Sequence, residues 1–227
     1  MPYWCFNREY IRGPKKEIHD LAQKLENWTH KNYEENGFGT GWLGNIVGFA
    51  GLKRIDEIPE KEGGLRCRGN LVELEPNQFI ETSYENDTGE IKFESETAWE
   101  PIPELWYAVL KKHAPHCKYY YQSQENQMGI LESNDIEHIY FDEEFYVENI
   151  YEHPEKVNEN VKKHFPESMG FDYSFDTAEI TEALEEILET KETDVKTLLN
   201  EFEKNRDKLM GDKENYLSIL QYEYKSN

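Results

Sequence analysis

A chain of 227 residues that is 37% hydrophobic and 14% aromatic has enough apolar material to bury a core, which excludes wholesale disorder. It carries 47 acidic against 25 basic side chains, a net charge of −22; such a surface repels phosphates, so direct nucleic-acid binding is disfavoured. No apolar run has the length that spans a bilayer, and MPYWCFNREY lacks the charged-then-apolar layout of a signal peptide, so no membrane association and a cytoplasmic location are expected. Cys5, Cys67 and Cys117 are odd in number, far apart and form no C-x-x-C, the pattern of buried reduced thiols. The charge is uneven: residues 119–227 hold 10 basic and 27 acidic side chains, so −17 of the total lies there.

The alternation in YWCFNREYIR, residues 3–12, predicts a strand with Trp4, Phe6 and Tyr10 on one face. Gly13-Pro14 ends it and starts a helix in which Ile18, Leu21, Ala22, Leu25, Trp28 and Tyr33 form one apolar stripe. Residues 39–44 then read GTGWLG, a literal G-x-G-x-x-G. A dinucleotide site needs a strand feeding that motif, a helix opening on its last glycine, and an acid about 20 residues on. Here the preceding residues are patterned as a helix, and the following NIVGFAGLKRIDEI shows no helical apolar spacing. Glu62 stands near the expected distance, but among 47 acids that carries little weight. The motif reads as a glycine-rich connection packed around Trp42, and no cofactor is expected.

From Leu65 the signal turns to strands: LRCRGNLVEL, FIETSYEN and EIKFESETAW, with Asp87-Thr88-Gly89 marking a hairpin turn between the last two. Pro101 and Pro103 introduce a second helix with Leu105, Trp106, Val109 and Leu110 as its buried stripe, and Pro115 stops it. KYYYQSQ, MGILESN and HIYFDEEFYVENI follow as strands, with turns at Asn126-Gln127 and Asn134-Asp135. This order predicts an α+β fold, an antiparallel-rich sheet with two helices on one face. Its expected core includes Trp4, Phe6, Leu21, Leu25, Trp28, Trp99, Trp106 and Leu110. Two domains are expected, 1–152 and 153–227, the second an acidic helical appendage. In it HPEKVNENVKKHF, DTAEITEALEEILE, DVKTLLNEFEKNRDKLM and NYLSILQYEY follow in turn. Asp176 and Glu179 are placed as a reciprocal cap. Ile180, Leu184, Ile187, Leu188, Leu198, Leu199 and Phe202 make the buried stripe.

The opening MPYWCFNREYIRG, the helix after Gly13-Pro14, and the block SETAWEPIPELWYAVLKKHAPHCKYYYQSQENQMGILESND together resemble the YubB-like, ferredoxin-like domain family of uncharacterised bacterial, plasmid and phage proteins. The resemblance covers roughly residues 1–150; Tyr3 replaces the family's usual Asn, and WLGNIV is shared with only a subset of members. It implies a ferredoxin-like α+β fold, named for shape alone, since four iron–sulfur cysteines are absent. It implies no activity, and it places the chain among mobile-element proteins.

His113, His116 and Cys117 are the best-spaced metal ligands, with Cys5 or Cys67 as further donors; the bland alternative is a helix C-terminus whose histidines suit the dipole. A thiolate nucleophile at Cys5 or Cys67 would need a base and access, and on a strand Arg66 and Arg68 point away from Cys67. Glu94, Glu96 and Glu100 offer a carboxylate pair of glycosidase type, as any chain this acidic does. No G-x-S-x-G, H-E-x-x-H or Walker-type loop is present, so catalysis has no motif behind it. Glu182, Glu185, Glu186, Glu189 and Glu192 gather on one helical face and are the expected contacts to a basic protein. Three classes stay open: a non-enzymatic acidic interaction module, in its sharper form a nucleic-acid mimic; a metal- or thiol-dependent enzyme; and a protein whose acidity serves no partner.

Overall fold

The computed structural model describes residues 2–31, 39–73, 87–125, 128–166 and 174–226. The chain divides into two compact units, residues 1–140 with 224–227, and residues 141–223. Tyr33, the whole FIETSYEN segment and the Asn126-Gln127 turn lie outside the described residues.

The first unit runs β1 (Trp4–Pro14), α1 (Lys15–Glu26), α2 (Leu43–Phe49), β2 (Gly69–Glu73), β3 (Thr88–Ala98), α3 (Pro103–His113), β4 (Lys118–Glu125) and β5 (Ile130–Ser133). All its pairings of β1 to β5 are antiparallel, in the order β2-β3-β1-β4-β5. The central strand β1 pairs with β3 from Trp4↔Ala98 to Pro14↔Thr88, and with β4 from Phe6↔Gln124 to Arg12↔Lys118. The α+β class and the two long helices are as the patterning predicts. α1 buries Ile18, Leu21 and Leu25, and α3 buries Leu105, Trp106, Val109 and Leu110 against one sheet face.

Three expected core residues are corrected. Trp4, Phe6 and Tyr10 do share a face, but it is the one turned away from the core: Trp4 is 38% and Phe6 58% exposed. Cys5, Asn7, Glu9 and Ile11 are the buried set of β1. Alternation fixes that the two sets lie on opposite faces but not which one is covered. The polar atoms of Asn7 are satisfied inside: its Nδ2 donates to Ser95 O at 3.1 Å and Thr97 Oγ1 at 3.1 Å, and its Oδ1 accepts from Ser123 Oγ at 2.7 Å. Trp99 is 42% exposed with φ +70, its ring under the Arg68 guanidinium at 4.5 Å.

GTGWLG is also corrected in one respect, since a helix does open on it. Leu43 to Val47 of α2 are all buried, which leaves no polar face to give a helical period in the sequence. The turn at Thr40-Gly41 leads to Trp42, which bridges to Asn70. A Cβ at Gly44 would stand 2.3 Å from the Trp42 ring, so that glycine is required by the indole folded over it.

The second unit is not wholly helical, and it begins at Phe141 rather than about residue 153. It contains β6 (Phe145–Ile150), α4 (Glu159–His164), β7 (Ser174–Phe175), α5 (Thr177–Leu188), α6 (Val195–Met210) and β8 (Tyr216–Gln221), and the short β9 (Glu223–Tyr224) follows and joins β5 in the first sheet. A three-stranded antiparallel sheet, β7-β6-β8, is packed by the helices. NYLSILQYEY therefore supplies a strand where the spacing predicts a helix. Its isoleucine and tyrosines suit a sheet surface, and its pairing partner lies in β6. The expected stripe is buried in the unit's own core at Ile180, Leu184, Ile187, Leu198 and Phe202. The Asp176–Glu179 cap is present: Asp176 Oδ1 accepts from Glu179 N at 2.8 Å, and Glu179 Oε2 from Asp176 N at 3.0 Å. Among the described residues no helix is long and apolar enough to cross a membrane.

Candidate functional site

The structure does not gather His113, His116 and Cys117 at one point. His113 leaves the end of α3 toward α2, with Nε2 3.0 Å from Ala50 O and the ring edge-on to Trp28. His116 turns to α1, where Nδ1 lies 2.6 Å from Glu17 Oε1, and Cys117 Sγ lies 3.9 Å from Glu17 Oε2. Burial pushes the thiols of Cys5, Cys67 and Cys117 up to about 12, 11 and 12, so each holds its proton at neutral pH. Glu100 is drawn with Glu104 onto the Arg66 guanidinium, with Glu104 at 2.8 Å. Glu94 and Glu96 stand on the outer face of β3, opposite Arg8 and Phe6 of β1.

Three acidic residues at the end of α5 stand where helix physics disfavours them. Residues 141–223 carry 23 acidic and nine basic side chains, a net −14. On α5, Glu185 and Glu186 fall in the last turn and Glu189 in the left-handed cap at φ +52, with no basic residue in that turn. A helix C-terminus carries partial negative charge, so a carboxylate there is destabilising and a cation is favoured. Glu186 is compensated by Lys163 and by His164 Nε2 at 2.9 Å, both from the end of α4, and those contacts hold its carboxyl below the usual range. Glu182 and Glu189 are exposed, and Glu185 is half-buried. Glu192 lies apart from that group: its Oε1 accepts from Thr193 N and Asp194 N at 3.0 and 2.9 Å in the connection to α6.

One feature of the first unit has no signature in the sequence. β5 pairs with β4 only over Gln122–Glu125, and beyond that the β4 edge is met by Asn134, whose backbone N–H donates to Tyr121 O at 3.2 Å. Its side chain accepts from Tyr121 N at 2.8 Å and donates to Tyr119 O at 2.9 Å. A cleft of about 690 Å³ lies beside this edge, lined by Tyr107, Leu110, Lys118, Tyr119 and Tyr120 among others. Behind its wall Tyr119 donates its hydroxyl to Glu9 Oε1 at 2.6 Å. Burial lifts the Glu9 carboxyl from 4.5 to about 8, against the opposing pull of Tyr119, Ser95 and Trp106, and lifts the Tyr119 hydroxyl well above its ordinary range. Both groups are thus predominantly neutral at pH 7, so the Glu9–Tyr119 pair adds no charge behind a wall that also carries Asp135, Glu137 and Lys118. Nothing in the spacing of residues 9 and 119 announces that they meet.

Compared with known proteins, the chain matches no family model, no curated protein and no solved structure.

Proposed function

We propose that the chain is a non-enzymatic interaction protein whose acidic second unit binds a basic protein surface. The observation that carries this is the run Glu182, Glu185 and Glu189 along α5, with Glu185 and Glu189 at its C-terminal end, against the helix dipole and with no basic residue in the helix's own last turn. Acids retained where they destabilise their own helix point to a use beyond keeping the chain dissolved. In the sharper form of this reading the carboxylates imitate phosphates and occlude the nucleic-acid groove of their partner. The element order β1-α1-α2-β2-β3-α3-β4, with the short α2 inserted in the first crossover, and the strand order β2-β3-β1-β4 ahead of β5 support a ferredoxin-like first unit. That is the fold which the resemblance of its opening residues to the YubB-like family implies. The test is capture from bacterial lysate at two salt concentrations. Partners held by this face bind at about 0.05 M salt and are released near 1 M, where the screening length shrinks to ~3 Å. A partner set unchanged by salt contradicts the reading.

A further inference from the structure

The second unit brings together a histidine and two carboxylates that stand about 60 residues apart in sequence. His153 follows β6, and Asp212 and Glu214 lie in the turn after α6. Their ligand atoms all lie within 4.8 Å of one another, the only such group of three or more His, Cys, Asp or Glu side chains among the described residues.

Both segments are held in place. Gly211 ends α6 at φ +66, and a Cβ there would stand 2.2 Å from Lys156 O, so glycine lets the helix end close onto residue 156. The buried Asn215 accepts from His153 N at 2.8 Å and donates to His153 O at 3.0 Å, fixing the histidine backbone to the same turn.

The spacing within the group is that of metal ligands. His153 Nε2 is 3.2 Å from Glu214 Oε2. Two ligands bound about 2.1 Å from a tetrahedral ion stand roughly 3.4 Å apart. Nδ1 of the same ring faces Glu155 Oε1 at 3.7 Å, so a carboxylate stands behind the imidazole, as it does behind metal-bound histidines. One cation already competes for the group: Lys156 Nζ lies 2.5 Å from Asp212 Oδ2. It sits on a flexible stem and is partly exposed, so a doubly charged ion can displace it.

We propose that His153, Asp212 and Glu214 bind a divalent transition-metal ion, with Zn²⁺ the best match to one imidazole and two carboxylates, and that Lys156 swings off Asp212 when it binds. The bland alternative is an ion-pair network, His153 with Glu214 and Lys156 with Asp212, that takes no metal.

The full chain, stripped with EDTA and dialysed, is titrated with Zn²⁺ by calorimetry, with circular dichroism to check each variant. One equivalent binds; His153→Ala removes it, and Glu214→Gln, at an exposed position that leaves the fold intact, weakens it at least about tenfold. Lys156→Gln tightens it, since the competing cation is gone. A His113→Ala/His116→Ala variant binds as the parent does. Binding weaker than about 100 μM, equal binding by His153→Ala and Glu214→Gln, or loss only in the His113/His116 variant would each overturn the site.

Discussion

Tyr119 and Glu9, 110 residues apart in sequence, share a 2.6 Å hydrogen bond in the interior of the first unit. Glu9 Oε2 has no hydrogen-bond partner among the described residues, and Tyr119, Ser95 and Trp106 offset the burial of the carboxyl only in part. Burial disfavours its charged form, which is why it keeps its proton to about pH 8.

That raised value makes stability depend on pH in a defined direction. Below about 4.5 the carboxyl is protonated in both folded and unfolded chains. Between 4.5 and about 8 only the unfolded chain releases the proton, so stability falls as pH rises through this window and is level above it. The loss is a few kcal/mol, since each pH step across the window removes roughly 1.4 kcal/mol. Urea midpoints at pH 5 and pH 8 should differ more in the parent than in Glu9→Gln, whose amide carries no charge. Parallel pH profiles for the two proteins would contradict this account of Glu9.

The GTGWLG glycines have a packing explanation that makes a separate forecast. Gly44→Ala forces a methyl into the Trp42 ring and should lower stability by about 1–3 kcal/mol. NAD, NADP and FAD should leave the melting temperature of the parent unchanged. A saturable rise with any of the three means the motif binds a dinucleotide after all.

The thiols give a chemical test of burial. With Cys5, Cys67 and Cys117 held near 12, 11 and 12, all three should react slowly with Ellman's reagent at pH 8 and rapidly once urea is added. Fast reaction of one thiol in the native protein would show a reactive site that burial should suppress.

The parts of this molecule that are legible in the sequence are the ones governed by local periodicity. Leu21 and Leu25 on α1, Trp106 and Leu110 on α3, and the Asp176–Glu179 cap each declare themselves within a few residues. The rest requires knowing which neighbour arrives. Trp4 and Phe6 look like core residues until the helices are seen to cover the Asn7 and Glu9 side instead. β8 reads as a helix in isolation and becomes a strand only because β6 is there to pair with it. Neither the Glu9–Tyr119 bond nor the His153–Asp212–Glu214 group has any trace in spacing, because tertiary structure alone brings their members together.

The end of α5 carries the proposed interaction, and charge reversal there tests it. Glu182, Glu185 and Glu189 are changed together to Lys, leaving Glu186 with its Lys163 and His164 partners. A control of equal charge change reverses Glu62, Glu137 and Glu152, all exposed and elsewhere. Helical circular dichroism should be preserved in both, and the α5 variant should be at least as stable as the parent, since lysine suits a helix C-terminus. Capture of the salt-sensitive partner from lysate should be lost in the α5 variant and kept in the control. Equal capture by the parent, the α5 variant and the control would show that this face is only a solvated surface, and the interaction reading would fall with it.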